Sequence, residues 1–150
     1  MRNKNQSGFT LIELLVVIAI IGLLASIVLL ALNGARAKSR DAKRIADVRQ
    51  IASAFELFYN DFNTYPTIAI SSQANATAAY ITPNYIGIWP TAPTPVDAAT
   101  GATTPCTTTN NTYTYTTGAN SSSYSLVFCL GGLTGGYGPG QHTLTQAGIQ

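Results

Sequence analysis

Gly8-Phe9-Thr10-Leu11-Ile12-Glu13, running without a break into the apolar stretch 14–32, is the part of the chain on which the reading of the rest depends. The nineteen residues of that stretch, at about 1.5 Å each, make a helix of about 28 Å, close to the roughly 30 Å hydrocarbon core of a bilayer. The segment is long enough to span a membrane. A secretory signal peptide would account for Arg2 and Lys4 ahead of it and for the A-x-A pattern at Ala35-Arg36-Ala37. Its apolar region should be about 7–15 residues and free of acids, and both Glu13 and the length oppose that. A plain anchor suits the length but leaves Glu13 without a purpose. A carboxylate costs on the order of 2.5–3.5 kcal/mol near the centre of a membrane helix, and less near its end.

Outward from this segment the chain divides into two materials. Of its 150 residues 46% are hydrophobic and 9% charged, against about 25% charged in average soluble domains. Thirteen of the fourteen charged residues lie between Arg2 and Asp61, and the last 89 residues hold only Asp97. A formal charge of +2 excludes disorder driven by net charge.

Helical patterning continues past the apolar run. Ile45, Val48, Ala52, Phe55, Tyr59 and Phe62 recur at spacings of 3 and 4, the stripe of an amphipathic helix, with Arg44, Asp47, Arg49, Gln50 and Glu56 on other faces. No proline precedes Pro66, so one helix from about residue 10 to residue 60 is expected. It closes at Asn60-Asp61-Phe62-Asn63-Thr64-Tyr65-Pro66, where Asn and Asp favour turns and proline bars continuation.

Two motifs together carry a resemblance. A basic leader, a glycine, an aromatic residue, an acid five positions into the chain that starts at Phe9, and an apolar helix resemble the class III signal of type IV pilins and type II secretion pseudopilins. Asp61-x-x-x-Tyr65-Pro66 is similar to the signature that closes the long helix in the same family. The resemblance implies cleavage between Gly8 and Phe9 by a prepilin peptidase, N-methylation of Phe9, and subunit assembly in which Glu13 of one copy meets the Phe9 amine of another. It also implies a pilin fold of the α+β class, one long N-terminal helix packed on a small antiparallel β-sheet. The expected parts are a leader over 1–8, a transmembrane and polymerisation helix over 9–34, an amphipathic half over 35–61, and an extracytoplasmic head over 62–150. The proline that many type IV pilins carry late in the apolar run is absent here, which makes Gly22 the expected weak point.

Positive-inside counting opposes this orientation. Arg36, Lys38, Arg40, Lys43 and Arg44 follow the apolar run while only Arg2 and Lys4 precede it. The motif is given precedence, with Asp41 and Asp47 partly compensating the basic cluster on the helix surface.

In the head, residues 67–111 read as an irregular wrap with a short helix near 73–80. Tyr80-Ile81, Tyr85-Ile86 and Ile88-Trp89 are the expected anchors. Alternation at 112–117 and 123–130 around Gly118-Ala119-Asn120 is a β-hairpin signal, with a third strand expected near 142–146, in a sheet of three or four strands. Cys106 and Cys129 are the only cysteines and His142 the only histidine, so a disulfide is favoured over a metal site. General acid–base and nucleophilic catalysis need converging ionisable groups, and the head offers Asp97 and His142. No enzyme and no cofactor are expected.

Function is read as a structural pilin of a type IV pilus-like extracellular filament, a homopolymer of pilin subunits. Its expected partners are the prepilin peptidase, an inner-membrane assembly platform and, before assembly, the membrane itself. The alternative is a major pseudopilin of a type II secretion system. Major pseudopilins hold calcium with acids in a loop near the C-terminus, and no acid follows Asp97. A head without Lys or Arg makes direct nucleic acid binding unexpected.

Overall fold

The computed structural model describes residues 8–99 and 101–150. The expected leader therefore lies, apart from Gly8, outside the described residues. In chain order the elements are α1 (Leu11–Phe62), α2 (Gln73–Ala78), β1 (Thr114–Thr117), β2 (Tyr124–Leu130), β3 (Gly140–Thr145) and β4 (Gly148–Ile149). The chain forms two compact units, Met1–Arg36 and Ala37–Gln150.

In the first unit the apolar part of α1 has a window of mean hydropathy 3.2 with none of it buried. Its large side chains from Leu11 to Leu32 are all exposed. Its one hydroxyl is satisfied internally, because Ser26 Oγ donates to the Gly22 carbonyl at 2.9 Å.

In the second unit α1 buries Asp41, Arg44, Ile45, Asp47, Val48, Ile51, Ala54, Phe55 and Phe58. Nine residues separate Ile45 from Ala54, or two and a half turns at about 3.6 residues per turn, so the head covers half the circumference. This corrects the expected stripe. Ala52 and Tyr59 sit at its margin and are half-buried, and Phe62 is 57% exposed. Steps of 3 and 4 drift around a 3.6-residue helix, and the true face also takes in Ile51, Ala54 and Phe58. Arg44 and Asp47, expected on other faces, belong to the buried one.

The helix stops where expected, and the geometry says how. Asn63 takes a left-handed φ of 53° and its N–H bonds the Tyr59 carbonyl at 2.7 Å, the asparagine version of a helix C-cap. Tyr65, 3% exposed, packs edge-on to Tyr124 and donates to Glu56 at 3.0 Å.

The sheet is an antiparallel meander in the order β1-β2-β3-β4, registered by Tyr115↔Leu126, Phe128↔His142 and Leu144↔Ile149. Tyr113, Tyr115, Tyr124, Leu126, Phe128 and Leu130 point into the core with Phe55 and Val48 of α1. Strand alternation therefore places the aromatic side chains inward and the hydroxyls outward. β1 begins two residues later than expected, β3 spans the expected third strand, and β4 supplies a fourth. Ile70 exchanges backbone bonds with Tyr115, at 3.1 and 2.7 Å, which covers the open edge of β1.

Within the wrap, Ile81, Ile86 and Trp89 are buried, whereas their neighbours Tyr80 and Ile88 are exposed. One residue of each of the first and third expected pairs turns inward, whereas in the second Tyr85 is half-buried beside Ile86, 5.5 Å from Phe58. Trp89 lies 6.2 Å from Phe55 as a core anchor.

Candidate functional site

Two sets of side chains carry the function-bearing chemistry. The first is the motif at the head of α1. Thr10 precedes the helix, its N–H and Oγ1 both donate to Glu13 Oε2 at 2.8 and 2.6 Å, and the Glu13 N–H returns to Thr10 Oγ1 at 3.3 Å. This is a capping box. It satisfies helix-terminal amides, and it gives the carboxylate hydrogen-bond donors within its own chain at the end of the apolar segment. Phe9 is 86% exposed. A side chain added at Gly8 would meet nothing within 4 Å, and Gly8 shows no left-handed φ. The fold itself does not require glycine there, so any requirement comes from outside the chain.

The second set is an ion cluster buried between α1 and the head. Asp41 and Arg44 are 1% and 2% exposed and pair at 2.6 Å. Asp41 also accepts the backbone N–H groups of Gly131 and Gly132, both at 2.9 Å. Arg44 reaches Asp97 at 3.0 Å, the Pro93 carbonyl at 3.0 Å and Asn111 Oδ1 at 3.3 Å. Arg40 holds Asp97 bidentately, and Asp47 accepts from Lys43 at 2.7 Å and from Tyr113 at 2.9 Å. One helix face thus ties down the wrap at Pro93 and Asp97, the approach to β1 at Asn111 and Tyr113, and the turn after β2. Gly131 is required here, since a side chain on it would collide with Asp97.

Sequence reading missed this cluster. Its signal was Asp97, the single acid of the last 89 residues, which if buried demands a cation that only the helix supplies. The cluster also corrects the charge argument. Asp41 and Asp47 do not lie on a helix surface, and Asp97 joins them, so Arg40, Lys43 and Arg44 are each paired with a carboxylate of the same unit. Arg36 and Lys38 remain exposed, equal in number to Arg2 and Lys4 of the leader. The count of five Lys and Arg after the apolar run against two before it is unchanged by this pairing, so positive-inside counting and the motif still disagree.

Arg40 beside Asp97 holds that carboxyl below the usual carboxylate range, burial opposes the shift, and Arg44 adds to it. The folded value lies below the unfolded one, so the stabilisation is complete above about pH 4 and is lost as pH falls through the folded value. Asp97→Asn is expected to lower the urea midpoint at neutral pH and to flatten its decline below about pH 4. Midpoints measured from neutral to strongly acidic pH check this, and identical acid slopes for the two proteins would refute it. Burial foremost, with Asp47 as acceptor, pushes the Tyr113 phenol far up, which keeps it a donor at all working pH.

Cys106 and Cys129 form the expected disulfide, with Cα atoms 5.8 Å apart. The bridge stabilises by about 3 kcal/mol in the loop-entropy account. His142 bonds the carbonyl of Gly138 at 2.8 Å and lies 3.2 Å from that of Gln150, a structural role. Among the described residues no three His, Cys, Asp or Glu converge as a metal-binding set. A cleft of about 700 Å³ is lined by Ala52, Leu57, Tyr124 and Leu144 with one carboxylate, Glu56.

Residues 3–29 match the family model described as the prokaryotic N-terminal methylation motif. The chain is 42% identical over 67 residues to the type II secretion system core protein G of Aeromonas hydrophila, covering 45% of this chain and 47% of that protein. It is 39% identical over 83 residues to the protein of the same name from Klebsiella michiganensis, covering 55% and 58%. For that of Pectobacterium carotovorum subsp. carotovorum the figures are 37% over 79 residues, 53% and 51%. The chain thus spans about half the length of the curated relatives it matches. No solved structure matches it. The resemblance to type IV pilins and type II secretion pseudopilins stands on these findings together with the helix-and-sheet layout.

Proposed function

We propose that the chain is a structural filament subunit of the pilin and pseudopilin class, made as a membrane-anchored precursor and assembled through α1. In this reading residues 1–8 are the leader, a prepilin peptidase cuts between Gly8 and Phe9, and the new Phe9 amine is methylated. Residues 9–34 serve first as membrane anchor and then as polymerisation element, 35–61 continue the helix, and 62–150 form the head. The observation that carries it is the sequence Gly8-Phe9-Thr10-Leu11-Ile12-Glu13 capping a helix whose large apolar side chains from Leu11 to Leu32 are all exposed. Such a surface needs either lipid or the same surface of other copies.

The relatives favour the pseudopilin of a type II secretion system over the extracellular pilus that the sequence alone put first. One observation keeps the pilus reading in view. The turn after β2 contains no acid, so its donor set does not fit the calcium loop of major pseudopilins, and its amides at Gly131 and Gly132 are taken by Asp41 instead. Deleting the gene in the native host separates the two. Lost export of secreted enzymes with unchanged surface filaments supports the pseudopilin, and the reverse supports the pilus. Mass spectrometry is expected to find methylated Phe9 at the mature N-terminus, and an intact leader in working filaments would refute the class.

Glu13 acts as a register device. Cleavage makes a cation at Phe9, and a neighbour's Glu13 neutralises it where helices bundle away from water, at the expense of the local bond to Thr10. Leaving such a charge buried and unpaired costs about 3–5 kcal/mol. Glu13→Ala is expected to slow assembly by an order of magnitude or more, read as filament yield over time; assembly at the normal rate would remove that role.

A further inference from the structure

The chain enters its second unit at Ala37, and the edge of the head on that side is a single turn. The Gly131 and Gly132 amides bond Asp41 at 2.9 Å, and Asp41 is the first residue of α1 that the head buries. A side chain at Gly135 would come 3.2 Å from Ile45, so the turn runs along α1 from Asp41 to Ile45. Paired bonds between Thr134 and Tyr137, at 3.0 and 3.1 Å, close it around Gly135 and Gly136, whose left-handed φ of 62° and 89° suits glycine at both positions. The stretch 131–140 holds no charged residue, and Leu133 stands 73% exposed on it.

The groups around Leu133 suit phosphate. Lys38, one turn before Asp41 on the same side of α1, is exposed and joins no ion pair among the described residues. The acids of this edge, Asp41 and Asp97, are bound to Arg44 and Arg40, so no free carboxylate repels an anion. Among the described residues the amides of Gly135 and Gly136 make no hydrogen bond. An aliphatic tip, an unpaired cation and two open amides together match an acyl boundary lying under a layer of lipid phosphates.

We infer that the turn 131–137 is a foot on which the head of the unassembled subunit rests on the bilayer, with Leu133 in the acyl boundary and with Lys38 and the two glycine amides on lipid phosphates. The inference rests on the anchor reading of α1, which fixes where the bilayer lies. Asp41 follows Leu32 by nine residues of α1, about 14 Å of helix, and the headgroup layer beyond the hydrocarbon is about 5–8 Å deep. An upright helix would hold Leu133 just clear of that layer. A tilt of about 20°, the average for membrane helices, toward the side of the turn brings it in, and attraction of Lys38 to phosphates favours that tilt. A filament has no bilayer beneath the turn, so the foot belongs to the precursor and must let go before a subunit is incorporated.

The full chain, reconstituted in vesicles of phosphatidylcholine with about one quarter phosphatidylglycerol, tests this with brominated acyl chains as tryptophan quenchers. Trp89, 5% exposed, supplies the background in the unaltered chain. Leu133→Trp is expected to lose at least about half of its added emission. Thr116→Trp, exposed on β1 opposite Ser125 near the start of β2, is expected to lose almost none. Hydrogen exchange reads the unaltered turn without an added aromatic. Exchange at Gly135 and Gly136 is expected to slow about five-fold when phosphatidylglycerol is included, and Lys38→Gln to remove that difference. Equal quenching at positions 133 and 116, or exchange indifferent to the lipid, would overturn the proposal. Protection that rises with the ratio of protein to lipid would mean that a second copy covers the turn, and would overturn it as well. Loss of the unaltered chain from the vesicles in an alkaline wash would instead refute the anchor reading itself.

Discussion

Arg44→Ala is expected to destabilise the head by about 3–5 kcal/mol, the range for removing one partner of a buried ion pair. Folding stabilities of single domains run about 5–15 kcal/mol, so this one substitution removes a large share. The argument is one of accounting for charges. Arg44 is 2% exposed and sits between Asp41 and Asp97. Its removal leaves Asp41 buried with only the two glycine amides, and Asp97 with Arg40 alone. Asn111 Oδ1 loses its donor as well, and the Pro93 carbonyl keeps only the Asn111 amide. Arg44→Met keeps most of the volume and drops the charge, so an equal loss there shows that charge rather than packing is responsible. Trp89, the only tryptophan and 5% exposed, reports unfolding by fluorescence in urea on the detergent-solubilised full chain. A shift below about 1 kcal/mol, the level of exposed ion pairs, would refute the buried-cluster account.

The same cluster marks the limit of what could be read from the amino acids alone. Features set by neighbours in sequence were legible. The helix ends at Asn63 and Pro66 because local turn chemistry stops it, and β1 and β2 alternate because one face is buried. The capping box at Thr10 and Glu13 is local too, yet it was not read from the sequence. What was not legible depends on partners more than fifty residues away. Arg44 and Asp97 are separated by 53 residues, and neither the helical period nor the charge count says that they meet. A charged residue on a helix is read as solvated by default, and only a tertiary partner overrides that default. The phase of the apolar stripe went astray for the same reason, since the buried face includes Asp41, Arg44 and Asp47, which a hydrophobic pattern skips. Of the N-terminal motif, the sequence carries everything except the local partner of Glu13.

Ile20→Asp is expected to abolish stable membrane insertion and filament formation together. Ile20 lies well inside the apolar run, 53% exposed on a helix with nothing of its own chain over it. An aspartate near the centre of a membrane helix costs about 2.5–3.5 kcal/mol on insertion scales, roughly a hundred-fold in partitioning at about 1.4 kcal/mol per decade. Glu13 escapes this cost because it sits at the helix end with Thr10 as donor, whereas position 20 has helical backbone on both sides and no spare donor. In the filament the penalty recurs, because each copy buries the new carboxylate among apolar helices that offer no cation. Ile20→Leu preserves burial and is expected to behave as the unaltered chain. Two readouts separate the two roles of the segment: the fraction that stays with membranes after an alkaline wash, and the filament yield. A variant that stays in the membrane and still assembles would refute the claim that the same residues serve as anchor and as polymerisation surface. A variant that stays in the membrane but fails to assemble would locate the whole cost in the bundle, where only a neighbour's charge could repair it.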